Sequence, residues 1–208
     1  FCLEIYHFRN ESVFGNSPLR AYCQMFPRVK NFFLLLLCVG YYVFRGGAKQ
    51  DVKSSRRVLI VQLAKLGDMV STTPMFRAIK ARYPDAKVYV MGDRVNKELL
   101  LGNTDVDEYI VYEKNIFGSI NRLRGEDIDF SCMTGPSPEI LAVLYLSGIR
   151  LITAPRIENG FSPQETRVYK MLSQFVWKVP HRMGHYAARE YLRLLEPIGI
   201  MESDTTKH

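Results

Sequence analysis

The chain has no glycine-rich phosphate loop of either common kind. Neither GxGxxG nor GxxxxGK[ST] occurs in its 208 residues, which removes the dinucleotide fingerprint and the Walker loop from the candidate chemistries. The GxSxG elbow of the serine hydrolases is also missing. Cysteine is scarce: Cys2, Cys23, Cys38 and Cys132 form no CxxC pair and no zinc spacing. A disulfide framework is therefore excluded as the main source of stability, and a reducing, cytoplasmic compartment fits. Most of the chain also lacks an excess of charge of either sign. Of the net +7, residues 1–57 carry nine Lys/Arg against three Asp/Glu, and residues 58–208 carry nineteen against eighteen. A nucleic-acid-binding body would hold its positive charge on a folded face, so nucleic acid is not an expected partner.

No apolar run is long enough for a clean membrane span. Residues 32–44 contain no charge, but thirteen helical residues reach only about 20 Å against a hydrocarbon core of roughly 30 Å. Arg28 and Lys30 precede the run, and Arg45, Lys49, Lys53, Arg56 and Arg57 follow it. The run is also apolar all round, without the polar face of a helix lying flat on the surface, and a short helix dipping into one leaflet, with basic flanks on anionic headgroups, accommodates both facts. The membrane surface is thus an expected partner through residues 28–57. Two other readings compete. One is a signal peptide cut near Gly46, Gly47 and Ala48; the other is an ordinary core helix, which polar residues 46–56 argue against. Residues 1–24 show no periodicity, and Met25 resembles a natural start, so 1–24 are expected to be a poorly ordered tail or foreign to the native product.

What the chain does contain is ordinary globular composition, 47% hydrophobic and 24% charged, enough for one α/β domain with an appendage. After the polar linker, strand and helix patterns alternate. Strands are expected at 58–61, 87–91, 109–112, 129–133 and 150–153. Helices are expected at 74–83, 96–101, 116–124 and 139–146, the last closed by Gly148. This alternation predicts a parallel, Rossmann-like sheet. A further helix is expected near 166–177, and an amphipathic one over 185–198 with Tyr191, Leu194, Leu195 and Ile198 on one face.

Between the first strand and first helix stand Lys65, Leu66, Gly67 and Asp68, read as a tight turn, with Thr72 and Thr73 as caps ahead of Pro74. Ligands of parallel sheets bind beyond the carboxyl ends of the strands, which is where this turn places Asp68. Other candidate groups read as structural. His181 and His185 lack the glutamate of a metalloprotease motif and read as a polar loop entering the last helix. Asp105, Asp107 and Glu108 match no calcium loop and read as a solvated turn, and Trp177 as core or rim. No metal site is expected.

Residues 57–80 resemble the opening of the heptosyltransferase family of glycosyltransferases (glycosyltransferase family 9), with a strand, a Leu-Gly-Asp turn and a Thr-Pro-led helix. The likeness continues through residues 83–88, 103–112 and 127–137, the last containing Thr134, Gly135, Pro136 and Ser137, and covers roughly residues 57–200. The resemblance implies an α/β, Rossmann-like lobe forming the N-terminal half of a GT-B glycosyltransferase, here with an N-terminal hydrophobic helix. Residues 1–56 would be tail, helix and linker, 57–200 the acceptor-binding lobe, and 201–208 the start of a linker to a C-terminal donor-binding lobe that this sequence lacks.

By motif position Asp68 would be the general base, and Lys65, Gly67, Ser71 and Ser137 acceptor contacts. The donor would be a nucleotide-sugar, commonly ADP-heptose, with no cofactor or metal. The acceptor would be a lipopolysaccharide-core-like or other lipid-linked glycan at the inner face of the cell membrane. Without its donor lobe the chain would be inactive alone. Two alternatives come from other classes: a non-catalytic α/β module binding a lipid-linked sugar or partner protein, and an unrelated Rossmann-like nucleotide-binding enzyme.

Overall fold

The structure is a computed structural model that describes residues 18–45 and 57–201, with side chains from 29–44 and 57–201. The expectations for residues 1–17, the 46–48 cleavage site, most of the basic linker and the 202–208 linker lie outside the described residues.

Six strands form one sheet in the order β3-β2-β1-β4-β5-β6, every neighbouring pair parallel. They are β1 (Arg57–Val61), β2 (Lys87–Gly92), β3 (Glu108–Val111), β4 (Phe130–Met133), β5 (Leu151–Asn159) and β6 (Trp177–Arg182). A strand alternates its side chains between the two faces of a sheet, and a parallel sheet is covered on both. Leu59, Val61, Tyr89, Met91 and Met133 therefore enter one core, while Val58, Ile60, Val88, Val90, Phe130 and Cys132 enter the other.

The helices are α1 (Pro18–Arg45), α2 (Leu66–Arg82), α3 (Arg94–Leu99), α4 (Ile116–Gly125), α5 (Pro138–Leu146), α6 (Arg167–Leu172) and α7 (Ala187–Leu192). On the first face lie α4, α5, α6 and α1; α2 and α7 pack together on the second. Thus β1 sends its chain to one face and its neighbour β4 sends its chain to the other. The carboxyl ends of β1 and β4 flank the topological switch point, where an open α/β sheet leaves a crevice.

Several expectations need correction. Helix α2 starts at Leu66, eight residues before Pro74, so Lys65 is the N-cap, Asp68 sits in the first turn, and Thr72 and Thr73 are interior. Pro74 is accommodated inside the helix. Its missing N–H would have reached the Val70 carbonyl, which instead accepts from the Thr73 hydroxyl at 2.9 Å. Strand β5 runs six residues beyond Thr153, because a sixth strand pairs along it.

That strand, β6, begins at the last residue of the stretch read as a helix over 166–177, the rest of which is largely α6 and a 3₁₀ segment, Ser173–Phe175, and it takes up residues 178–182 of the stretch read as a polar loop. Pro180 is tolerated there because β6 is an edge strand. The last helix is shorter than 185–198: α7 is followed by a 3₁₀ segment, Arg193–Ile198, containing Pro197, whose nitrogen has no hydrogen to donate. Asp107 and Glu108 are not merely solvated. Lys80 donates to Asp107 at 2.7 Å and Lys87 to Glu108 at 2.9 Å, tying α2 and β2 to the start of β3.

Helix α1 exceeds the apolar run at both ends; residues 18–24, expected as a tail, form its first turns. Among the described residues, no helix is long and apolar enough to cross a membrane. The reason α1 docks lies in α5. Beyond Glu139 its sequence is apolar all round, which demands burial on every side, yet the sheet covers only one side. Leu34, Leu35 and Cys38 of α1 join the core over α5 and α6, and Tyr41 meets Tyr145 edge-on at 5.6 Å.

Candidate functional site

The crevice is built from two loops. On the β1 side, Gln62 is almost fully buried. Its backbone N–H donates to Met91 at 2.9 Å, its Oε1 accepts from the Ala64 N–H at 3.0 Å, and its Nε2 donates to Thr72 Oγ1 at 3.2 Å. Asn96 Nδ2 then holds the Ala64 carbonyl at 2.9 Å. Residues 62–65 are thereby fixed to β2, α2 and α3 before α2 begins. On the β4 side, the Thr134 N–H and hydroxyl both donate to the Val61 carbonyl at 3.1 Å. Ser137 caps α5 by accepting from the Ile140 N–H at 3.3 Å.

Asp68 lies half-buried in the first turn of α2, where a carboxylate complements the positive end of the helix dipole. Its Oδ1 accepts from the Tyr191 hydroxyl at 3.4 Å. Burial, then the charge of Asp68, pushes the Tyr191 phenol up to about 12, so it stays protonated and acts as donor. The His181 ring stacks beside Tyr191 with centroids 6.0 Å apart. Burial is the main cause that holds the His181 pKa below its ordinary value, with Glu190 opposing and Arg193 adding to the depression. Its Nδ1 is buried without a hydrogen-bond partner among the described residues.

The sequence-derived residues divide by role. Lys65 and Gly67 are exposed at the crevice mouth beside Asp68, and the space a side chain at Gly67 would fill is open. Ser137 is half-buried on the opposite loop. Ser71 is buried and donates its hydroxyl proton to the Gly67 carbonyl at 3.0 Å, so it shapes the first turn rather than offering that proton to a ligand. Sequence reasoning missed Gln62, Tyr191 as a partner of Asp68, and His181 as a strand residue packed against Tyr191. A tyrosine in an apolar stripe does signal a hydroxyl in need of a partner, but sequence alone does not name it. Among the described residues, no group of three or more His, Cys, Asp or Glu is placed to hold a metal.

An α/β crevice with one carboxylate at the switch point belongs to a Rossmann-like lobe. Solved structures similar to it include glycosyltransferases. A glycosyltransferase family 9 protein from Veillonella parvula is 19% identical, with TM-score 0.55 over 76% of this chain and 44% of its own. E. coli ADP-heptose LPS heptosyltransferase II is 22% identical, with TM-score 0.55 over 71% and 42%. E. coli heptosyltransferase WaaC with ADP-2-deoxy-2-fluoro heptose is 14% identical, with TM-score 0.59 over 73% and 51%. The chain has the heptosyltransferase-like, Rossmann-like fold of these GT-B enzymes and spans about half the length of each. No protein-family profile and no curated protein matches it.

Proposed function

We propose that the chain is the acceptor-binding lobe of an inverting glycosyltransferase, with Asp68 as its general base. One observation carries this reading: a half-buried carboxylate, oriented by the Tyr191 hydroxyl, at the crevice between β1 and β4. As the acceptor hydroxyl attacks the anomeric carbon, its proton passes to the Asp68 carboxylate. The new glycosidic bond forms as the bond to the nucleotide diphosphate breaks, and the electron pair leaves with the phosphate. Lys65 and Ser137 would contact a phosphorylated or hydroxyl-rich acceptor from the two sides, and Gly67 would leave room for it.

In this reading the donor is a nucleotide-sugar, ADP-heptose by analogy with the similar enzymes, and the acceptor is a lipopolysaccharide-core-like or other lipid-linked glycan. The donor binds a second lobe, so transfer is a property of the two-lobed enzyme. The test is Asp68→Asn in the full-length enzyme. Transfer should fall by about 10²- to 10⁴-fold while the circular dichroism spectrum and acceptor binding persist. Transfer at the wild-type rate would remove Asp68 from the chemistry.

A further inference from the structure

Helix α1 is seated on the domain by one stripe only. Leu34, Leu35 and Cys38 are buried, and Lys30 donates to Glu139 at the start of α5. On the opposite side, Val29, Phe32, Phe33, Leu36, Val43 and Phe44 recur at helical spacing and are exposed, Phe44 to 93%. At the rise of an α-helix this stripe is about 22 Å long. No charged residue interrupts it between residues 31 and 44. A continuous exposed apolar surface of this kind marks an interaction site.

The charges around the stripe identify its occupant. Arg28 and Lys30 stand at one end, and Arg45, Lys49, Lys53, Arg56 and Arg57 follow the other, with Asp51 the one acidic residue among positions 28–57. A second copy of this chain, bringing the same basic flanks to the same patch, would meet like charge. Anionic lipid headgroups would instead pair with those flanks, while the acyl boundary receives the aromatic and aliphatic side chains.

We propose that the outer face of α1 lies in the headgroup layer of an anionic bilayer with its axis in the membrane plane. Helix α1 runs alongside α5 in the same direction, since Lys30 meets Glu139 at the start of α5 and Tyr41 meets Tyr145 near its end. The start of α5 follows the carboxyl end of β4. The strands therefore run along the membrane plane, and the crevice bearing Asp68 opens sideways, parallel to the bilayer, with α5 and the sheet between α1 and α2. This arrangement depends on α1 and holds whether or not sugar transfer is the reaction.

The experiment is flotation of the full-length protein with vesicles of phosphatidylethanolamine and phosphatidylglycerol, alongside pure phosphatidylcholine. The wild type should float with the anionic vesicles and be released by high salt, where screening acts over about 3 Å. The double variant Phe33→Glu, Phe44→Glu, at two exposed positions and with unchanged thermal unfolding, should bind at least about tenfold less. For orientation, single tryptophans at positions 33, 44 and 95, in a background where Trp177 and every other tryptophan of the full-length protein are replaced by Phe, are exposed to brominated lipid. Quenching at 33 and 44 but not at 95 is expected. Equal flotation of wild type and double variant overturns the proposal. So does absence of vesicle binding, with or without a dimer that the same variant disrupts.

Discussion

Asp68 and Tyr191 meet across 123 positions of sequence because α7 packs on α2, so the carboxylate's orientation is a tertiary property. Gly67, beside it, poses a different question. Its backbone does not require glycine, since it is absent from the positive-φ residues, and an added methyl group would touch nothing within 4 Å. Within a helix, alanine is favoured over glycine by about 0.8–1.0 kcal/mol, so glycine here costs stability that no contact in the protein recovers. On the proposed reading of the site, that open space is room for an incoming sugar. Gly67→Ala should therefore leave unfolding unchanged or shift it upward, while raising the KM for acceptor in the full-length enzyme by about tenfold with kcat less affected. An unchanged KM together with raised stability would show that the crevice does not need the space.

At the scale of elements, α1 carries two surfaces of opposite consequence. Leu34 is 4% exposed and Phe44 93%, so truncating them should have unlike effects although both lie in the apolar run. Leu34→Ala opens a cavity against α5 and should destabilise the domain by about 2–5 kcal/mol. Phe44→Ala, at a surface position, should stay within about 0.5 kcal/mol. Chemical denaturation of the two variants measures this directly, and equal small losses would mean that α1 is not part of the cooperative core. The sequence made α1 visible through composition, and β1, β2, β3 and β4 through short apolar runs between turn signals. It misplaced the start of α2 because Thr72, Thr73 and Pro74 imitate a helix start, whereas the Thr73 hydroxyl bonds the carbonyl that Pro74 leaves free. Strand β6 escaped notice because Lys178, Pro180, His181 and Arg182 read as a polar loop; the edge position that admits them depends on β5 extending alongside. Asp68 was legible from its place after β1, while Gln62 and Tyr191, which fix that place, depend on packing between distant segments.

Over the whole molecule, the response of folding to acid should separate into two windows. Burial holds the His181 pKa below its ordinary 6.5 in the folded state. The unfolded chain therefore binds a proton there first, and the stability associated with a neutral His181 is complete above about pH 6.5 and lost as pH falls below that value. Two carboxylates act lower down. Desolvation raises the Asp107 pKa, but hydrogen bonds from Lys80 and the Val88 N–H outweigh it and hold the group below 3.8. The hydrogen bond from Lys87, joined by Arg122, holds Glu108 below 4.5. Their contributions are present above those ordinary values and disappear as pH falls through the depressed folded-state values. His181→Phe keeps a flat ring against Tyr191 and removes the titrating nitrogens. The variant should lose the decline that begins near pH 6.5 while keeping the one that begins near pH 4. Urea unfolding midpoints taken from about pH 8 to about pH 3 would resolve the two windows. A variant whose midpoint still falls between about pH 6.5 and pH 5 as steeply as the wild type's would place the upper transition on another group and show that His181 titrates alike in both states.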